Sequence, residues 1–259
     1  MIRRAALIVV LLGTTAAHAE QSARIEAFAA LPDWSGLWEA DTGLERGISG
    51  RPRGGFSEML AKMPMLRPPP YNAEWRARYE TAARDPQLFA KAQVRKTCSG
   101  FGYPGVMDSV VQFSLFVVPE ATAMVFSSGE VRHIRTDGRG HPAPEDLWPT
   151  PLGDSIGQWQ GDTLIIDTIA RSAGPLHPFA FIATLSEQAR FTERIRRTGP
   201  DTMENQVTIH DPVAFTRPRK LQLTLRRVTG LGRLMVTTNF CTENDRNPVV
   251  NGEVTIAPP

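Results

Sequence analysis

Cysteine and histidine are scarce in this chain, and their scarcity limits the chemistry available to it. The 259 residues include two cysteines, Cys98 and Cys241, and neither belongs to a Cys-x-x-Cys pair. The five histidines show neither His-x-His nor His-x-x-x-His spacing, so we expect no metal site. A mixed site of His and carboxylate side chains, assembled from distant parts of the chain, is the alternative. Gly-x-Ser-x-Gly, P-loop and Gly-x-Gly-x-x-Gly motifs are also missing, and we expect no cofactor.

Long hydrophobic runs are absent beyond the N-terminus. There, Arg3 and Arg4 precede a short apolar stretch over residues 5–12, and residues 17–19 read Ala-His-Ala. This order of basic, apolar and small residues is typical of a cleaved export signal. Cleavage predicts a mature chain that begins at Glu20, has no membrane span, and is periplasmic or secreted.

An excess of either charge is also lacking in the predicted mature chain. The full sequence has 29 Lys and Arg against 27 Asp and Glu, and removal of Arg3 and Arg4 makes the two totals equal. Nucleic-acid binding relies on a basic excess that faces the phosphates. We therefore expect a small-molecule ligand or substrate and no nucleic acid, while the oligomeric state stays open.

The two cysteines predict a disulfide, because an even pair in an oxidising compartment is usually bonded. A bond between Cys98 and Cys241 would close a loop of 143 residues. Chain entropy assigns such a loop roughly 4–5 kcal/mol of stabilisation. A free thiol or a metal ligand is the alternative role.

Beyond Cys98 the hydrophobic pattern has period two, which predicts strands. The strands expected there are 110–118, 122–128, 130–136, 155–160, 163–169, 184–197, 203–210, 219–228 and 233–241. One earlier strand is expected at Asp33–Glu39. Turn residues separate them, most clearly Gly161-Asp162, which suits a two-residue hairpin. Because no helix is long enough for a βαβ crossover, we expect an all-β fold. The favoured form is an antiparallel up-and-down, lipocalin-like barrel of about 8–10 strands, and a β-sandwich is the alternative.

The domain organisation follows from these segments. We expect a signal peptide over 1–19, an N-terminal lead over 20–32, and one barrel domain over 33–259 with a loop and helical insertion at 43–97. Within the insertion, Asn72 predicts the N-cap of a helix that ends near Ala83. Asp85-Pro86 predicts the start of a second helix, with proline at its first position.

Alternation over 184–197 places two carboxylates on the apolar side. The expected inward row is Leu185, Glu187, Ala189, Phe191, Glu193 and Ile195. Buried carboxylates need a partner. One interpretation is a salt bridge such as Glu193 with Arg227, or access to water at an open barrel end. The other is a polar anchor or a general acid/base in a ligand cavity, where burial raises the carboxyl pKa.

The segment after Arg135 is the second candidate region, because it is long for a hairpin and rich in Pro and Gly. His141 titrates near neutral pH, Asp137 could orient it, and Arg139 could hold an anion. Trp148 and Asp154 follow, so the segment could form a rim over a barrel mouth. The alternative is a rigid loop in which Asp137 closes an Asx-turn and Arg139 pairs locally.

The run Gly36-Leu37-Trp38 resembles the Gly-x-Trp signature of lipocalins. That resemblance implies a Trp packed across the closed barrel end beneath an Arg from a late strand. Arg226 or Arg227 would be the matching residue here.

Five longer motifs extend over most of the chain from residue 33 onward. They are Asp33-Trp-Ser-Gly-Leu-Trp38, Thr136-Asp-Gly-Arg-Gly-His-Pro142, Ser155-Ile-Gly-Gln-Trp-Gln-Gly-Asp-Thr-Leu-Ile-Ile-Asp-Thr168, Asp211-Pro-Val-Ala-Phe-Thr-Arg-Pro218 and Cys241-Thr-Glu-Asn-Asp-Arg-Asn-Pro248. Together they resemble a large uncharacterised family of exported bacterial proteins. The family pattern matches at Asp137, His141, Glu187 and Glu193. Many members carry His where this chain has Asp154, Leu185 and Arg190, so a histidine site of the family would be altered here.

These observations favour an exported lipocalin-like protein that binds a small hydrophobic or aromatic molecule in a barrel cavity. The predicted ligand-binding residues are Arg139, Trp148, Asp154, Arg190, Glu193 and Arg227. One alternative is a cofactor-free lyase, hydratase, isomerase or hydrolase, with His141 and Glu187 as acid/base and Asp137 beside His141. Another is an envelope interaction protein that uses the Pro- and Arg-rich arm at 46–70.

Overall fold

A computed structural model describes residues 18–19, 21–41, 63–85, 102–108, 111–176, 182–229, 249–250 and 253–254. Several predictions lie wholly or mostly outside these residues. They are the signal sequence, most of the arm at 46–70, the second helix after Asp85, the strand at 233–241, and the disulfide between Cys98 and Cys241.

Nine strands form a closed barrel, which confirms the predicted all-β barrel. In chain order the strands are β1 (Leu37–Ala40), β2 (Phe113–Val118), β3 (Ala121–Phe126), β4 (Val131–Arg135), β5 (Asp154–Gln160), β6 (Thr163–Ile169), β7 (Gly174–Pro175), β8 (Thr184–Leu185), β9 (Arg190–Gly199), β10 (Thr202–His210), β11 (Arg219–Arg227), β12 (Val249–Val250) and β13 (Glu253–Val254). The barrel order is β1-β11-β10-β9-β6-β5-β4-β3-β2. β7 pairs with β8, and β12 pairs with β13, as separate two-stranded ladders.

The described helices are short. Residues 21–29 form an N-terminal helical segment, and α1 (Ala73–Ala83) lies in the predicted insertion. Asn72 caps α1 as expected, because its side chain accepts a hydrogen bond from the Trp75 amide. Three single 3-10 turns occur at Pro64–Leu66, Gly105–Asp108 and Pro144–Asp146. None of the helices in the described part of the chain is long and apolar enough to cross a membrane.

The hairpin of β5 and β6 forms as its sequence predicts. Gln160 pairs with Thr163 across the Gly161-Asp162 turn. Gly161 has a φ of +61°, a conformation that only glycine adopts without steric cost. The ladder runs back to Asp154 opposite Ile169, so even-numbered residues of β5 share one face of the sheet with odd-numbered residues of β6.

One pair of barrel strands is parallel, and strand number explains why. A closed ring with an odd number of strands cannot alternate direction throughout. Here β4 and β5 run parallel, with Ile134 opposite Ser155 and Arg135 opposite Ile156. The chain between them, residues 136–153, is a crossover loop. Since β4 ends at Arg135, residues 157–160 of β5 pair only with β6 among the described strands.

Large side chains fill the interior of the barrel. The largest fully buried ones include Trp38, Arg132, Tyr103, Phe113, Phe126, Phe191, Met124, Ile134 and Leu164. Trp34 and Trp159 meet edge to face with ring centroids 5.1 Å apart. Burial of so much apolar surface is the main favourable term in folding.

Trp38 lies beneath an arginine, as the Gly-x-Trp resemblance implies. The Arg227 guanidinium is 4.7 Å from the centroid of the Trp38 ring, and the two residues are direct partners across β1 and β11. Arg227 also donates a hydrogen bond to the carbonyl of Ser35 at 2.6 Å. Arg227 therefore packs at the barrel wall.

Glu193 is buried on the inner row, as predicted, but its partner is Arg132 rather than Arg227. Their side chains are 0% and 1% exposed, and Arg132 Nη2 lies 2.5 Å from Glu193 Oε1. Asn205 Nδ2 donates to Glu193 Oε2 at 3.0 Å, and Arg132 Nη2 donates to Thr168 Oγ1 at 2.8 Å. This buried network supports the interpretation of Glu193 as one half of an internal salt bridge.

Candidate functional site

Five charged or titratable side chains gather on the outside of the barrel. We call them the outer-wall cluster: Arg135, His141, Asp154, Asp167 and Arg190. Four of them come from the consecutive barrel strands β4, β5, β6 and β9, and alternate with buried residues. His141 comes from the crossover loop.

His141 bridges the two carboxylates of the cluster. Its Nδ1 lies 2.5 Å from Asp154 Oδ1, and its Nε2 lies 3.2 Å from Asp167 Oδ2. Arg135 holds Asp154 through two hydrogen bonds of 2.8 and 3.0 Å. Arg190 holds Asp167 in the same way at 2.8 and 2.5 Å. The result is a linear network of alternating partners, Arg135–Asp154–His141–Asp167–Arg190.

Electrostatics favour the ionised form of Asp154 in this network. Burial alone raises the pKa of Asp154, but the hydrogen bonds from Arg135 and His141 outweigh it and hold that pKa below its usual value. The hydrogen bond to Asp167 raises the pKa of Arg190. A neutral imidazole has one donor nitrogen, so both His141 contacts are hydrogen bonds only when both ring nitrogens carry protons.

The geometry gives His141 a positioning role. Both of its ring nitrogens are engaged, and its side chain is 14% exposed. A general base needs a nitrogen within reach of a substrate proton. The contacts instead fasten the crossover loop to the outer faces of β5 and β6.

Asp137 and Arg139 form a local pair. The Asp137 carboxylate accepts from the Arg139 amide at 3.1 Å and from Arg139 Nε at 2.6 Å. The hydrogen bond to Arg139 lowers the pKa of Asp137. This is the Asx-turn that the sequence offered as an alternative. Asp154, and not Asp137, is the carboxylate beside His141.

Two further predicted site residues lie away from the cluster. Glu187 is in a turn before β9 and is exposed, so the inward row predicted over 184–197 is wrong at this position. The turn breaks the alternation, because β8 ends at Leu185 and β9 begins at Arg190. Glu187 and His141 share no described hydrogen bond or ion pair. Trp148 is 74% exposed on the crossover loop.

Asp167 and Arg135 are members of the cluster that the sequence interpretation missed. Asp167 is the only charged residue within β6, whose other side chains are apolar or Thr. A single acidic residue on a strand without other charged residues could have indicated Asp167 as a site residue. Its partner His141 is 26 positions away, so no local spacing connects them.

A groove of about 660 Å³ adjoins the cluster. It runs along the part of β5 that β4 does not pair with, and the N-terminal helical segment forms its other wall. Phe28, Ile156 and Ile165 contribute apolar surface, and Arg139, Gln158 and Asp167 contribute polar groups. Asp167 thus belongs to both the groove and the cluster.

Metal-binding side chains do not converge in the described part of the chain. Among those residues, no group of three or more His, Cys, Asp or Glu side chains is arranged to hold a metal ion. In the cluster, His141 separates the two carboxylates instead of sharing a centre with them.

The fold and the cluster define a closed nine-stranded β-barrel protein with a polar network on its outer wall and a groove beside it. Comparisons of the chain with protein-family models, with curated proteins and with solved structures find no match.

Proposed function

We propose that this protein binds a small, partly aromatic or hydrophobic molecule with a polar end in the groove beside the outer-wall cluster. The observation that carries the proposal is the groove itself, whose volume of about 660 Å³ is in the usual range of small-molecule sites. Its mixed lining, an apolar wall with a few polar groups, is the usual composition of such sites.

Because side chains fill the interior of the barrel, we place the proposed site in the outer groove and not inside the barrel. Bulky residues such as Phe113, Phe126 and Phe191 are fully buried inside, and the Arg132–Glu193 pair lies among them. A ligand in the interior would displace this packing, whereas the groove is already open. The crossover loop, held by His141, gives the groove a preorganised edge.

Export is part of the same proposal. Cleavage after Ala19 would leave a mature chain whose first residues lead directly into the helical segment at 21–29. That segment supplies Ala27 and Phe28 to the groove. The processed N-terminus would therefore form one wall of the binding site. N-terminal sequencing of the secreted product tests the cleavage position.

A fluorescence titration tests binding in the groove. The probe is N-phenyl-1-naphthylamine, a neutral aromatic amine, with Trp159 beside the groove as the energy donor. We expect saturable binding at one site, weakened at least tenfold by Ile165→Arg, which places a long cation across the apolar wall. Val125→Arg is the matched control, because Val125 is an apolar residue on the outside of β3 that does not line the groove.

The Val125→Arg control shows whether the probe binds in the groove. We expect Val125→Arg to bind the probe within twofold of the parent protein. Equal affinities for the parent, Ile165→Arg and Val125→Arg would show that the probe binds elsewhere.

A further inference from the structure

A second pocket lies on a different part of the barrel and is lined by cations. Its volume is about 320 Å³, and we call it the basic pocket. Arg67, Arg217, Arg219 and Lys220 line it, with three prolines and the start of β11 completing the wall. Strands β10 and β9 separate β11 from β6, so the basic pocket is distinct from the groove.

The four cations form no ion pair in the described structure. Arg67, Arg217 and Lys220 are exposed, and no ion pair in the described ranges involves any of the four. Most other arginines of the barrel wall do have such partners, for example Arg196 with Glu204. Burial lowers the pKa of Arg219 to about 10, and the positive charge of Arg67 also acts to lower it.

Arg219 is the unusual member of the set because it is buried. It is 7% exposed, and its Nη2 donates to the carbonyls of Pro64 at 2.8 Å and Met65 at 3.3 Å. Its Nη1 is buried and has no hydrogen-bond acceptor in the described part of the chain. A buried cation is costly unless its donors are satisfied.

Asp108 is the carboxyl group that interacts electrostatically with Arg219, and it neutralises little of the positive charge. Asp108 is buried and accepts a hydrogen bond from the Met65 amide, and burial raises the pKa of Asp108 to about 7. Near neutral pH this carboxyl is only partly ionised, so the net charge around Arg219 stays positive. An anion that enters the basic pocket would supply the missing negative charge.

We propose that the basic pocket binds a small, multiply charged oxyanion, a phosphate or polycarboxylate group, through Arg219 and the three exposed cations. Arginine donors match the oxygens of such groups in pairs, and several cations favour a multivalent anion over a monocarboxylate. The small volume limits the ligand to one compact head group.

Calorimetric titration at low ionic strength tests the pocket, with inorganic pyrophosphate and citrate as probes and acetate as the monovalent comparison. We expect saturable one-to-one binding of at least one multivalent probe and much weaker binding of acetate. The variant Arg67→Gln/Arg217→Gln changes only exposed residues and should weaken binding at least tenfold. The control Arg78→Gln/Arg84→Gln, on α1 and at its C-cap, removes the same charge from exposed positions and should bind within twofold of the parent.

Two results would overturn the proposal: no saturable binding of either multivalent probe, or equal weakening by both double variants. A further arm uses vesicles that contain phosphatidic acid, whose phosphomonoester head group has two ionisable oxygens. Sedimentation with vesicles that the pocket variant abolishes would identify a lipid head group as the source of the anion. Binding of pyrophosphate alone would identify a free anion, and both results support the pocket.

Discussion

At the scale of single residues, the internal salt bridge shows how a polar pair is kept inside an apolar barrel. Arg132 and Glu193 satisfy each other and are further bonded by Ser155, Thr168 and Asn205. Arg132 also lies 4.0 Å from the centroid of the Tyr103 ring. Buried pairs of this kind add little net stability, but the loss of one partner leaves an uncompensated charge.

We therefore expect Glu193→Ala to destabilise the protein by about 3–5 kcal/mol, because Arg132 would stay buried without its counter-charge. Urea unfolding followed by circular dichroism measures the loss. The double variant Arg132→Met/Glu193→Leu removes both charges and should be clearly more stable than Glu193→Ala. If the double variant were as unstable as the single one, packing and not charge would explain the loss.

Asp108 gives stability a specific pH dependence. Burial raises the pKa of Asp108 from its usual 3.8 to about 7 in the folded protein, and the hydrogen bond from the Met65 amide only partly opposes this. Between these pH values the folded state binds more protons than the unfolded state, so the Asp108 contribution falls as pH rises through 7. Asp108→Asn stays neutral and retains an acceptor for Met65.

We expect Asp108→Asn to be more stable than the parent at pH 8, and this advantage to shrink towards pH 5. Urea unfolding of both proteins across this pH range measures the difference. An advantage that does not change with pH would show that Asp108 does not titrate in this range.

At the scale of elements, the β5–β6 hairpin could be predicted from the sequence, whereas the parallel pairing of β4 with β5 could not. Alternation and the Gly161-Asp162 turn predicted β6 at its observed bounds, since both signals are local. The parallel pairing of β4 and β5 depends on how all nine strands close into a barrel, and no local sequence pattern predicts it. The exposure of Glu187 was missed for a related reason, because a short turn interrupts the apparent alternation.

The crossover loop depends on His141 for its attachment to the barrel. We expect His141→Ala to speed hydrogen exchange of the amides in 137–149 at least tenfold, because both carboxylate contacts would be lost. Exchange in β6 should stay slow. His133→Ala is the matched control, since His133 is exposed on β4 and should leave the loop unchanged. Equal loop exchange in all three proteins would contradict the positioning role.

At the scale of the whole molecule, the barrel and its strand number were predictable, while the location of the site was not. Composition, turn residues and the lack of long helices indicate a closed β fold, and nine strands close it. The candidate site joins His141, Asp154 and Asp167 from one loop and two strands. Only the register of those strands brings the three residues together.

The predicted disulfide between Cys98 and Cys241 belongs to this scale, because it would link segments 143 residues apart. We expect an intact mass two daltons lower before reduction than after it. Reduction should lower the free energy of unfolding by up to about 4–5 kcal/mol. Two cysteines that react with iodoacetamide in the untreated, unfolded protein would contradict the bond.

Native mass spectrometry of the purified protein is the most direct test of the proposed ligand site in the groove. We expect one organic molecule per chain in the parent protein and in Val125→Arg, and its loss in Ile165→Arg. A molecule retained equally by Ile165→Arg, or chains without any bound molecule in all three proteins, would contradict a ligand site in the groove.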